Sequence, residues 1–90
     1  MAYAALVQVE IDPGSDVAHR HSILNEFIVP QLRDLPGFTS ARWLNDGEGV
    51  GTCVAQFESR EQAERSLEVI TPSNGPRVLK ASICEVELEA

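Results

Sequence analysis

Four stretches of the chain have the composition and alternation of β-strands, and two stretches between them have apolar residues at helical spacing. The strands are predicted at residues 3–11, 38–44, 50–57 and 78–88, and the helices at residues 17–35 and 59–70. A period of two is typical of strands, whereas spacings of three and four are typical of helices. The predicted order is therefore βαββαβ, in a single domain of residues 1–90.

The first predicted helix follows Asp12-Pro13-Gly14 and can be capped by Ser15 or Asp16. Pro30 lies inside its apolar pattern and has no backbone N–H, so we expect a kink or a break near it. The helix is expected to resume and to run through Leu35. A Pro-Gly pair then forces a change of direction before Phe38.

The second predicted helix begins with a capping box, Ser59 followed three residues later by Gln62. The hairpin between strands 2 and 3 is predicted at Asn45–Gly49, where Asp-Gly accepts positive φ at little cost. Residues 71–76, rich in Pro, Ser, Asn and Gly, end the second helix and form a loop.

The βαββαβ order predicts an α+β, ferredoxin-like fold with an antiparallel sheet. Right-handed crossovers give the strand order 4-1-3-2 with both helices on one face. Strand 3 is apolar or small on both faces, with Val54 on one and Phe57 on the other. Because a half-solvated strand would alternate more clearly, a second copy is the simplest cover for the other face. We therefore expect a homodimer built through the sheet face.

The two cysteines are expected to remain reduced. Cys53 and Cys84 would lie on the strands that flank strand 1, roughly 9.6 Å apart. Disulfide geometry requires Cα atoms closer than about 7 Å. Both residues lie in apolar runs, where a thiol behaves as a small hydrophobic group.

Composition narrows the classes of partner. The net charge is −7, and the seven Lys and Arg residues form no cluster. A nucleic acid or an anionic membrane surface would be repelled, so we expect neither as a partner. The N-terminal residues have no basic segment typical of a signal peptide, and no stretch reaches the length of a membrane span. The expected location is the cytoplasm.

The element order, Pro-Gly-Phe at residues 36–38, and Phe57-Glu58-Ser59 leading into a helix with Ala63 resemble the dimeric α/β-barrel superfamily. The most similar branch is the antibiotic biosynthesis monooxygenase-like one. The resemblance implies two sheets packed face to face as a barrel. It also implies a small-molecule cavity between the sheet and the helices of each subunit.

The sequence departs from that family in two places. Many members have a Trp where Phe57 stands and a His in the second helix, and the haem-degrading members use such a His as the iron ligand. Here residues 59–70 contain no His, and none follows His21. We therefore expect no haem binding through a His ligand, no other cofactor and no metal site.

Trp43 is the only Trp and lies in the middle of a predicted strand. It could form an aromatic wall for a flat ligand together with Phe27 and Phe38. Burial in the core or in a dimer contact is the favoured alternative, so we expect Trp43→Ala to cost as much stability as a core substitution. His21 is a candidate general base, and a structural His at the surface or partly buried is the favoured alternative. His19, two residues away, faces another direction, so the two cannot share a metal.

Arg42 and Arg77 could hold a carboxylate, or they could be solvated and paired with nearby acids. No pair of titratable groups is placed for acid–base chemistry, so whether the chain is an enzyme is left open. The first hypothesis is a non-catalytic ligand-binding or structural dimer. The second is a cofactor-independent monooxygenase-like enzyme that acts on a small hydrophobic or aromatic substrate.

Overall fold

A computed structural model describes residues 2–72 and 76–90 and shows one four-stranded antiparallel sheet with helices. The elements are β1 (Tyr3–Glu10), α1 (Val17–Ile23), a π-helical segment (Leu24–Ile28), α2 (Val29–Arg33), β2 (Phe38–Asn45), β3 (Val50–Phe57), α3 (Arg60–Ile70) and β4 (Val78–Glu85). The strand order is β2-β3-β1-β4. The predicted α+β ferredoxin-like fold and its strand order are confirmed.

The register of the sheet determines which residues form the core. Val7 of β1 pairs with Cys53 of β3 on one side and with Ala81 of β4 on the other. Because side chains alternate between faces, Ala5 and Ala55, which also pair, lie on the same face as Val7. This helix-side face supplies most of the buried cluster: Ala5, Val7, Leu32, Cys53, Ala55, Phe57, Ala63 and Ile70.

Two side-chain caps start the helices. Asp16 caps α1, since its Oδ1 accepts a hydrogen bond from the Ala18 N–H at 2.9 Å. Ser59 caps α3 in the predicted capping box: the Gln62 N–H donates to Ser59 Oγ at 3.3 Å, and the Ser59 N–H donates to Gln62 Oε1 at 3.1 Å. Both caps satisfy N–H groups that have no partner inside the helix.

The first helix differs from its prediction in two ways. Its interruption is a widening to π geometry over Leu24–Ile28, immediately before the turn that contains Pro30. The helix also ends at Arg33 rather than continuing through Leu35. Leu35 precedes Pro36, and steric contact with a following proline disfavours helical geometry.

Two strands are shorter than predicted. β1 ends at Glu10 rather than at residue 11, although the Ile11 N–H still donates to the Gly49 carbonyl at 2.8 Å. β4 ends at Glu85 rather than at residue 88, because its pairing with the chain before β1 finishes with the Val86 N–H to the Ala2 carbonyl at 2.9 Å. Of the predicted loop at 71–76, residues 73–75 lie outside the described residues.

The hairpin turn between β2 and β3 is held by Asp46. Its carboxylate accepts hydrogen bonds from the N–H groups of Glu48 (2.7 Å) and Val50 (3.0 Å). These bonds favour the ionised form and lower the pKa of Asp46. Gly47 and Gly49 have φ values of 78° and 95°, as the Asp-Gly turn predicted.

Both cysteines are free thiols on the strands that flank β1, as expected. Cys53 is buried under the helices, and that burial raises its pKa to about 12. Cys84 is exposed. Within residues 2–72 and 76–90, none of the helices is both long and apolar enough to span a membrane.

Candidate functional site

An open cleft of about 290 Å³ lies between the first helix and β2. One wall comes from the helix and the other from the strand. The residues that line it are His21, Leu24, Asn25, Val29, Ala41, Arg42 and Trp43. Apolar walls with a few polar groups are the usual make-up of a small-molecule site.

The cleft exists because only the C-terminal end of the first helix is buried. Leu32 of α2 is fully buried, whereas α1 and the π segment contain no fully buried residue, and Ile28 is only partly buried against the core. By contrast, α3 buries Ala63, Ser66 and Ile70. The N-terminal part of the first helix therefore leaves space over β2 that no side chain of the described residues fills.

The π segment supplies two of the lining residues, Leu24 and Asn25. The Val29 N–H donates to the Leu24 carbonyl, five residues earlier, instead of to the residue four earlier. Such a widened turn rotates the following residues relative to a regular α-helix, and π segments are frequent at functional sites. The change of register lies within the part of the helix that faces the cleft.

Trp43 forms part of the strand wall. It pairs with Cys53 across the sheet, so its side chain lies on the helix-side face. The indole is half-buried and packs against the edge of the core cluster. β2 is an edge strand, and this position leaves Trp43 accessible from the cleft.

His21 lies on the opposite wall, so the structure brings two of the four predicted site residues together. It is exposed, as is Arg42. Arg77 lies elsewhere, before β4, where its carbonyl accepts a hydrogen bond from the Glu10 N–H at 2.9 Å. The two arginines therefore do not form a joint carboxylate clamp.

Phe27 and Phe38 do not line the cleft. The Phe27 side chain is 60% exposed on the helix surface. Phe38 packs edge-on against the buried Phe57, with ring centroids 5.7 Å apart and an interplanar angle of 66°. The sequence did not predict that Leu24 and Asn25 line a cleft. The available signal was Pro30, because a proline inside a helical pattern marks the place where the helix departs from regular geometry.

A second depression, of about 410 Å³, lies between the loop after β1 and the β2–β3 hairpin. Its cationic residue, Arg20, is already engaged: Nη1 donates to both the carbonyl and the hydroxyl of Ser15. Asp12 and Glu48 also line this depression. Because the lining carries both signs of charge and Arg20 is already hydrogen-bonded within the chain, this depression is a weaker candidate for a ligand site than the cleft beside Trp43.

The second helix, α3, offers no His ligand for haem. The helix α3 packs against β1, β3 and β4, away from the cleft, and contains no His. His21 is the one imidazole on the cleft wall, and it lies on the exposed α1. The residues present therefore do not reproduce a His ligand from the second helix. Within residues 2–72 and 76–90, no three His, Cys, Asp or Glu side chains are grouped as metal ligands.

Solved structures with the same fold include three that align over nearly the whole chain. Rv0793 from Mycobacterium tuberculosis is 17% identical, with a TM-score of 0.65 and coverage of 100% of this chain and 99% of that one. A monooxygenase from the gene ActVA-Orf6 of Streptomyces coelicolor, in complex with Nanaomycin D, is 17% identical, with a TM-score of 0.66 and coverage of 99% and 90%. A MhuD mutant with two manganese protoporphyrin IX bound per active site is 18% identical, with a TM-score of 0.65 and coverage of 98% and 97%.

No protein-family model matches the sequence. No curated protein matches it either. These three structures confirm the expected resemblance at the level of the fold. At this level of identity the likeness is one of fold, and the chain has the α+β ferredoxin-like fold of these proteins.

Proposed function

We propose that the protein is a homodimer that binds a small, flat, hydrophobic compound in the cleft between the first helix and β2. The observation that carries the proposal is the half-buried Trp43 on the cleft wall, opposite a helix wall that contains no fully buried residue. An aromatic ligand on this wall would remove apolar surface from water on both sides.

The composition of the cleft favours binding over catalysis. Leu24, Val29 and Ala41 supply apolar surface beside the indole, while His21 and Asn25 supply the polar groups. A base and a second titratable group within hydrogen-bond reach of each other are the usual arrangement for acid–base work. His21 has no such partner among the residues that line the cleft.

The outer face of the sheet supports the dimer. Leu6 of β1 pairs with Val54 of β3, and both point away from the helices. Leu44 of the edge strand β2 lies on the same outer face and is 55% exposed. All described helices pack on the other side, so a second sheet would bury an apolar row that the protomer leaves open to water.

A second candidate function is a cofactor-independent monooxygenase that acts on a small hydrophobic or aromatic substrate. It is favoured by the likeness to the ActVA-Orf6 protein, which is a monooxygenase in complex with Nanaomycin D. In that case His21 would act as the general base, since its imidazole lies on the wall opposite Trp43.

The experiment uses Trp43 as the reporter, because it is the only Trp in the chain. Its fluorescence should change on titration with flat aromatic compounds, and isothermal titration calorimetry should give a saturable affinity for the same compounds. Phe27→Ala is the control. Phe27 is an aromatic residue on the helix that forms the other wall of the cleft, but it does not line the cleft. Absence of saturable binding across such a panel would contradict the proposal.

Oxygen uptake separates the two candidate functions. A binding protein should consume no oxygen in the presence of a compound that it binds. Sustained oxygen consumption that is lost in His21→Ala, with binding retained, would favour the monooxygenase.

A further inference from the structure

The segment that follows β4, residues 86–90, continues the alternation of a strand beyond the end of the β1–β4 ladder. Val86 and Leu88 alternate there with acidic residues. Within the described part of the chain, pairing with β1 ends at the bond from the Val86 N–H to the Ala2 carbonyl. The Leu88 side chain is 88% exposed, the largest fraction among the described large hydrophobic residues. The segment therefore leaves strand-forming main chain and one large apolar side chain in water.

This segment lies against the outer face of the sheet, where the proposed dimer forms. The Glu89 carboxylate accepts a hydrogen bond from Nε2 of Gln56 on β3. Gln56 pairs with Ala4, one residue along from the helix-side pair Ala5 and Ala55, so its side chain points outward. Because β1 lies between β4 and β3, the segment spans across the sheet to reach it. An exposed side-chain bond holds the segment at the face on which a second copy would pack.

The edge of β2 offers main-chain groups to an added strand. The Asp46 N–H donates to the Val50 carbonyl at 3.1 Å, and residues of an antiparallel strand bond alternately to one side and the other. Arg42, four residues before Asp46, therefore bonds to β3, whereas the N–H and carbonyl groups of Ala41 and Trp43 point away from β3. β2 is the outermost strand of the described sheet, so these groups face an open edge. Such edges accept further strands.

The alternation of β2 matches that of the segment after β4. Arg42 is the one charged residue of β2, and it lies on the outer face, whereas Trp43 lies on the helix-side face. A strand whose acidic residues lie beside Arg42 brings opposite charges together. The same orientation sets Leu88 on the face of Trp43. Charge and hydrophobicity thus favour one orientation of the added strand.

We infer that residues 86–90 of each copy add as a fifth strand to β2 of the other copy, with Leu88 against the partner's Trp43. Five extended residues span about 16 Å, enough to bridge two sheets packed about 10 Å apart. Exchange of the two segments covers both β2 edges and is compatible with twofold symmetry. The cleft of each copy then receives a side chain from the other, so the site is complete only in the dimer. This inference rests on the proposed homodimer and adds the residue that each copy contributes to the other's cleft.

Quenching of Trp43 by a label at residue 88 tests the contact. Leu88→Cys, in a chain that also carries Cys84→Ser, is labelled with an iodoacetamide nitroxide, which quenches indole fluorescence at short range; Cys53 is buried. The labelled chain carries Trp43→Phe as well, so all Trp fluorescence comes from the unlabelled native chain. We expect a loss of this fluorescence when labelled chain is added in excess. Glu87→Cys, labelled in the same way, is the matched control, because its side chain points to the other face and should quench less.

Dimer affinity, measured by analytical ultracentrifugation, gives a second result that does not depend on the label. Leu88→Ala should weaken the dimer by about 10-fold or more, because a symmetric dimer loses two buried contacts. Phe27→Ala, at an exposed apolar residue on the helix surface, should leave the affinity unchanged.

The outcomes separate this contact from the dimer itself. Equal quenching by the two labels, or quenching by neither, would overturn the inference and leave the sheet-face dimer standing. An unchanged dimer affinity in Leu88→Ala would overturn it as well. A native chain that stays monomeric would overturn both the inference and the proposed homodimer.

Discussion

Gly37 lies so close to Gln62 that a Cβ on residue 37 would stand 1.8 Å from the Gln62 Oε1 atom. That oxygen accepts the hydrogen bond from the Ser59 N–H at 3.1 Å, so it belongs to the capping box of α3. The Gly37 carbonyl in turn accepts from the Glu58 N–H at 3.1 Å. The turn before β2 is thus joined directly to the start of α3.

Gly37→Ala should lower the free energy of unfolding by about 2–3 kcal/mol, as the sum of a left-handed backbone strain and a lost cap. Gly37 has a φ of 79°, and any Cβ there must displace the side chain of Gln62. Gly47→Ala is the matched control, because φ is 78° but no atom lies within 4 Å of the added Cβ. Urea denaturation of both variants measures the difference. Equal losses would show that the contact with Gln62 adds nothing to the backbone strain.

Trp43→Ala should leave a folded protein that has lost ligand binding. The ring is half-buried at a cleft, so its removal should cost less than the roughly 3–5 kcal/mol typical of a fully buried aromatic residue. Trp43→Phe should cost on the order of 1 kcal/mol and retain binding of aromatic compounds. Thermal melts with and without ligand measure both effects. A collapse of the Ala variant would instead support the core role expected from the sequence.

Leu6→Lys should dissociate the proposed dimer without unfolding the protomer. The side chain lies on the outer face of β1, between Val54 and Ser82 on the neighbouring strands, where a charge would have to be buried on association. Light scattering should give about twice 9.8 kDa for the native chain and a value near 9.8 kDa for the variant. Phe27→Lys, on the helix side of the sheet, is the control that should remain dimeric. A native chain that is monomeric at micromolar concentration would contradict the sheet-face dimer.

Cys53 should resist thiol reagents in the folded protein, because burial raises its pKa from 9.0 to about 12 and the thiolate is the reactive form. The measurement uses Cys84→Ser, which removes the exposed thiol, with DTNB at pH 8. Reaction should occur only after addition of denaturant. Rapid labelling of this variant without denaturant would show that the site under the helices opens readily.

The same shift predicts a loss of stability in alkali. The folded-state pKa lies above the unfolded value, so the contribution of the Cys53 thiol to stability is full below about pH 9 and is lost as the pH rises towards 12. Cys53→Ala should have a flatter dependence of the free energy of unfolding on pH in this range. If the free energy of unfolding falls with pH equally in the native protein and in Cys53→Ala, the pKa of Cys53 is not raised in the folded protein.

The sequence by itself determined the order of elements, the capping box of α3, the hairpin turn and the separation of the two cysteines. Each of these depends on residues close together in the chain or on strand periodicity. Ser59 and Gln62 are three residues apart, so local geometry alone brings them into contact. The strand order followed from the same elements, because short connections and right-handed crossovers leave few arrangements.

Only the tertiary structure decided which aromatic residues share a site. Phe27, Phe38 and Trp43 were equivalent as apolar side chains in the sequence, yet they occupy the helix surface, the core against Phe57 and the cleft, respectively. Phe27 lies in the π segment before Pro30, and a regular period of 3.6 does not represent that register. How far the helix stands from β2 depends on Leu32, whose burial at the other end of the helix holds it to the core. Such long-range packing is not encoded by any single stretch of residues.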